Sequence, residues 1–121
     1  VVVQVAISTA ATRKAAQVPG LPLTVGHESF AFRAFRAHQN TLENLPPFAL
    51  AVAVALAAGV APSLLGGASL GFLAARVGHA VAYYRGVAPA RTAAFSLGLL
   101  AVVVILAAAA LALVPRTAAF F

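Results

Sequence analysis

Cysteine, methionine, tryptophan and aspartate are all absent from this 121-residue chain. Without cysteine there is no disulfide, no thiolate metal site and no cysteine nucleophile. The three histidines, His27, His38 and His79, have no paired metal-ligand spacing. Without an initiator methionine, the N-terminus is expected to be incomplete or processed. Charge is scarce as well: 8% of residues, against about 25% in a soluble domain. Alternation of polar and apolar residues is missing, which excludes a membrane barrel. The basic residues are scattered between apolar runs rather than gathered on a solvated face, which excludes nucleic-acid binding.

What is there is hydrocarbon. The chain is 63% hydrophobic, with a mean hydropathy of +1.01. It reads as an all-α integral membrane protein, a single domain over residues 1–121, because continuous Ala/Leu/Val runs span a bilayer only as helices. The net charge of +6 fits positive-inside topology and contact with lipid phosphates. Seven of the eight basic residues are Arg, which suggests a GC-rich bacterial gene and an inner-membrane location.

Four helices are predicted, at about 1–12, 29–58, 68–84 and 89–114, joined as an antiparallel bundle. The first is too short to cross, since a crossing needs roughly 20 residues; it reads as a helix truncated at its N-terminus. Pro19-Gly20, Pro22 and Gly26 mark residues 13–28 as a loop. Gly59 to Gly67 reads as a second, uncharged loop, and Gly86 and Pro89 separate the last two helices. Pro46-Pro47 is expected to bend or unwind the second helix. The first and third loops carry Arg13, Lys14, Arg85 and Arg91 and are placed in the cytoplasm, with Arg116 the one dissenting charge.

Polar residues then mark one end of this bundle. Arg33, Arg36, Asn40 and Glu43 are spaced three, four and three apart, so they share a helix face. Arg76, His79 and Tyr83 form a second stripe on the third helix, and Arg91 opens the fourth. Ionisable groups at membrane depth are costly and usually functional. Several Arg side chains suit carboxylates, one Glu suits an ammonium, and Tyr83 with Arg91 suits an anion formed during reaction. A small zwitterion with more carboxylates than amines fits. The competing reading makes Arg36 and Glu43 part of an ion-pair network that only fixes packing. Arg33 reads as a headgroup anchor. His38 falls on the face opposite Arg36, toward lipid headgroups or a neighbouring subunit. The phenylalanines Phe30, Phe32, Phe35 and Phe48 read as packing or lipid-facing groups.

At these residues the chain resembles the MAPEG superfamily, the membrane-associated proteins in eicosanoid and glutathione metabolism. The run Arg33-x-x-Arg36-Ala-His38-x-Asn40-x-x-Glu43-x-x-Pro46-x-Phe48 resembles the family signature. Arg76-Val-Gly-His79-Ala-Val-Ala-Tyr83 with Ala88-Pro89-Ala90-Arg91-Thr92 resembles the microsomal prostaglandin E synthase and microsomal glutathione transferase branch, in a bacterial-type member. The resemblance implies a homotrimer with glutathione between subunits, as thiol substrate or cofactor. By position it implies Arg36, Asn40, Glu43, Arg76, His79 and Tyr83 as glutathione-binding residues, with Arg91 near the sulfur and Arg91 and Tyr83 as catalytic residues. Gln39 and Phe95 replace an Arg and a Tyr of the prostaglandin branch, and Asn44 an aromatic residue of some members, which argues against prostaglandin synthesis. The implied activity is glutathione transfer to, or reduction of, lipophilic electrophiles. The alternative is a non-catalytic lipid-binding or accessory subunit of a larger membrane complex. An ion or solute conduit along the Arg stripe is a third, opposed by the unbroken apolar stretches beyond it.

Overall fold

The computed structural model describes residues 1–19 and 21–118, with side chains described as far as Val114. Four helices make up the described chain: α1 (Val2–Lys14), α2 (Phe30–Ala58), α3 (Pro62–Arg85) and α4 (Ala88–Ala118). Three stretches, Phe30–Ala58, Pro62–Arg85 and Ala88–Val114, are long and apolar enough to cross a bilayer. The protein is therefore an all-α integral membrane protein. Arg116 lies in α4 beyond the described side chains.

The helix boundaries differ from the sequence reading in instructive ways. α3 begins at Pro62, six residues before the expected start at 68. The loop before it shrinks to Gly59, Val60 and Ala61. Pro62 sits in the first turn, where its missing N–H has no helical partner to lose. Gly66 and Gly67 follow inside the helix, with open space where a Cβ would stand. α1 runs on to Lys14, and α4 past Val114 to Ala118. Hydropathy marks where hydrocarbon ends; the backbone ladder continues beyond it. α2 stays helical through Pro46-Pro47, so the local unwinding allowed for does not occur.

Helix ends follow their residues. Ser29 caps α2, its hydroxyl accepting from the Ala31 N–H. Gly59 and Gly86 close α2 and α3 with φ of 77° and 73°, a left-handed conformation that costs a side-chain-bearing residue roughly 1–2 kcal/mol.

Small residues set the packing. Ala31, Ala34, Ala37, Ala51, Ala55 and Ala58 of α2 are all buried, on faces that turn along the helix, and let other backbones approach closely. The α2 backbone comes close to all three other helices, α3 and α4 pack most extensively, and the α1 backbone comes close to α2 alone. The apolar half of the bundle is filled by Ala51 and Ala55 of α2, Leu65 and Phe72 of α3, and Val102, Ile105 and Ala109 of α4. At its edge the Phe48 and Phe72 rings stack 3.9 Å apart at 2°. Beyond that stack the interior turns polar.

Candidate functional site

A cavity of about 310 Å³ opens at the polar end of the bundle. His27 of the first loop, Asn40 of α2, His79 and Tyr83 of α3, and Arg91, Thr92 and Phe95 of α4 line it. Helical spacing explains the convergence. His79 and Tyr83 are one turn apart, as are Arg91 and Phe95, so each pair faces one direction. The His79 ring meets Tyr83 edge-on at 5.0 Å and lies 6.3 Å from Phe95. The Arg91 guanidinium stands over the Tyr83 ring at 4.6 Å. One of its nitrogens lies 3.2 Å from His27 Nδ1. Arginine has no acceptor, so in this hydrogen bond the guanidinium donates and His27 Nδ1 accepts.

Arg76, 6% exposed, does not line this cavity but borders a neighbouring one with Gln4 and Ile7 of α1 and Thr41 of α2. Its Nη1 donates to Asn40 Oδ1 at 2.8 Å. The rings of Phe72 and Phe95 are 5.7 and 5.6 Å from its guanidinium carbon. Its Nε and Nη2 are buried without a partner. A buried guanidinium with open N–H groups calls for an acceptor, because an unsatisfied buried donor is expensive. No carboxylate lines the cavity among the described residues. Arg91 in the cavity and Arg76 behind its Asn40 bring two cations to this end of the bundle, with no acid in the cavity wall to pair with them, and what such a site can do is hold an anion.

The loop that delivers His27 is itself tied down. The Arg33 Nη1 donates to the backbone oxygens of His27 and Glu28 at 2.8 and 2.9 Å. Glu28 accepts from the Gly26 N–H at 2.8 Å. Its own N–H and that of Gly26 hold the Glu28 carboxyl below its ordinary value. The His27 ring then packs edge-on against Phe32 at 4.7 Å and lies nearly parallel to Tyr83 at 6.4 Å. His27 is not marked by the sequence pattern. A loop residue has no periodicity to expose it; the available signal was an imidazole two positions ahead of an N-cap serine.

The six expected glutathione-binding residues divide. Asn40, His79 and Tyr83 line the cavity, and Arg76 bonds to its Asn40 from outside the lining; Arg91, expected near the sulfur, lines it too. Arg36 and Glu43 do not join them. At about 100° per residue, Asn40 is rotated by about 60° from fully buried Ala37, and Glu43 by about 120°. Asn40 therefore points inward, while Glu43 is exposed. Arg36, half-buried, lines a separate shelf with Leu21, Pro22, Phe32 and Phe35. Among the described residues Arg36 and Glu43 form no ion pair, so the packing network that would link them is not made within the chain. Arg33, expected as a headgroup anchor, clamps the first loop through its Nη1. His38 faces α1, lining a small cavity with Ser8, Thr9 and Thr12. Phe35 lies between these two cavities and Phe30 packs near Tyr84.

No curated protein and no solved structure gives a significant match to the chain. A model of the MAPEG family matches residues 1–111, which takes in residues of all four helices, every residue of the cavity and Arg76. An all-helical membrane bundle with that match over nearly its whole length belongs to the MAPEG family.

Proposed function

We propose that this protein is a membrane glutathione transferase or peroxidase of bacterial type, from the prostaglandin synthase and glutathione transferase branch of its family, acting on lipophilic electrophiles. The observation that carries the reading is a cavity lined by Arg91 and by no carboxylate, with the buried Arg76 bonded to its Asn40 and left with Nε and Nη2 unpartnered. Glutathione fits it chemically: it has two carboxylates, one ammonium and a thiol.

The chain's residues divide the work. Arg76, set by Asn40, offers its open N–H groups to a carboxylate. Asn40 spends its oxygen on Arg76 and keeps its amide N–H groups as donors. His79 and Phe95 wall the cavity. Arg91, fixed over Tyr83, supplies positive charge to a sulfur placed beside it. A free thiol has a pKa of about 8.5, and an adjacent cation lowers it. When bound, glutathione supplies the thiolate that attacks an electrophilic carbon or reduces a hydroperoxide. Arg36 and Glu43, on the flank of α2, are assigned to the neighbouring subunit's ligand in a homotrimer. The first and third loops face the cytoplasm in this reading.

Calorimetry with glutathione, together with turnover of a lipophilic aryl halide and a lipid hydroperoxide, tests the proposal. Saturable binding with turnover of either substrate is expected. Binding without turnover would leave a non-catalytic accessory or lipid-binding subunit; no binding would overturn the glutathione reading altogether.

A further inference from the structure

Gly98 of α4 does not line the cavity, yet it is placed unlike the other helical glycines. A Cβ built on it would lie 2.9 Å from Arg76 Nη2, 3.2 Å from Nε and 3.3 Å from Cζ. Ordinary contact begins at 3.4 Å. At Gly66, Gly67 and Gly71 the same atom meets nothing within 4 Å, and at Gly78 it only reaches the Ala94 Cβ at 4.0 Å. The backbone of α4 at Gly98 is thus the surface on which the guanidinium lies. The group cannot swing aside freely, since Phe72 and Phe95 flank it and Asn40 holds its far nitrogen. The two nitrogens nearest Gly98 are the two without a partner.

We infer that Gly98 is a positioning residue for the anion site: the missing side chain fixes how deep the Arg76 guanidinium sits and which of its N–H groups remain open. This deepens the proposed function and rests on it where glutathione is concerned. An added methyl must displace the guanidinium by several tenths of an ångström along the seam between α3 and α4. That movement strains the bond to Asn40 and re-aims the open donors. Gly98 acts through Arg76 and touches no ligand itself.

The test is a double-mutant cycle on the purified protein, with Gly98→Ala, Arg76→Lys and the pair. The Arg76→Lys change removes the two nitrogens that a Cβ would meet and carries its charge on a flexible stem. The first readout is thermal unfolding without glutathione. Gly98→Ala should lower the midpoint when Arg76 is intact and change it little in the Arg76→Lys background, because residues in contact are coupled and independent ones add. Equal losses in both backgrounds would show that Gly98 serves general helix packing, and would overturn the inference. The second readout is glutathione titration. Gly98→Ala should weaken binding roughly tenfold when Arg76 is intact and by much less in the Arg76→Lys background, as expected of coupled neighbours. A coupled midpoint with uncoupled glutathione affinity would overturn the link to the ligand. Coupled midpoints with no glutathione binding by the unmodified protein would fault the proposed function and leave the Gly98–Arg76 coupling standing.

Discussion

Arg91 is held on two sides, by the Tyr83 face and the His27 nitrogen, so its charge acts from a fixed point. Preorganised charge matters most where an anion develops, and removing one such donor costs on the order of 10²–10³ in rate. Arg91→Leu should therefore abolish most turnover while glutathione still binds. Thiolate absorbance titrated against pH should show the bound thiol returning toward its free value. Retained turnover would remove Arg91 from the chemistry. Glu28 makes a different, pH-dependent prediction. Its folded carboxyl titrates below the ordinary 4.5, so its contribution is complete above that value and lost as pH falls through the lower, folded one. Glu28→Gln should loosen the turn at Gly26 near neutral pH, read as faster amide exchange there, and the difference from the unmodified protein should vanish in acid. Spacing alone had put Asn40 and Glu43 on one stripe, which holds to within about 60° of rotation. Which edge of that stripe turns inward depends on where the buried alanines lie, and periodicity among polar residues does not contain that. The convergence of Asn40, His79, Tyr83 and Arg91 was legible because each lies on a regular helix; His27 was not.

At the level of elements, α2 behaves as a rail of alanines. Ala55 is fully buried, whereas Ala53, two positions earlier, is exposed. Ala55→Leu should destabilise the bundle by about 1–3 kcal/mol through overpacking, while Ala53→Leu should be near neutral. Thermal unfolding in one detergent compares them; equal effects would contradict the packing. Existence and order of the four helices followed from apolar run length and from Gly and Pro punctuation. The start of α3 did not. Gly66-Gly67 suggested a loop by the habits of soluble proteins, but in hydrocarbon an open backbone has no water to bond, so the helix claims every residue it can.

The whole molecule leaves much for an assembly to cover. Arg36 and Glu43 lie on the flank of α2, away from their own chain's cavity. Native mass spectrometry in detergent should find a trimer, and a stable monomer or dimer would contradict it. If Arg36 serves a neighbour's ligand, Arg36→Ala should weaken glutathione binding by at least roughly 30-fold in the intact assembly, the loss expected for one partner of a desolvated charge pair. Unchanged affinity would return Arg36 to packing or lipid contact. Finally, α1 packs its backbone closely only against α2, and none of its residues lines the cavity. Free energy of opening is then unevenly distributed: α1 can lift away as a sub-global unit while α2, α3 and α4 keep their mutual contacts. Amide exchange should find α1 the least protected of the four helices, and exchange there should be insensitive to saturating glutathione, so that the molecule tolerates motion at its margin without losing its grip at the centre.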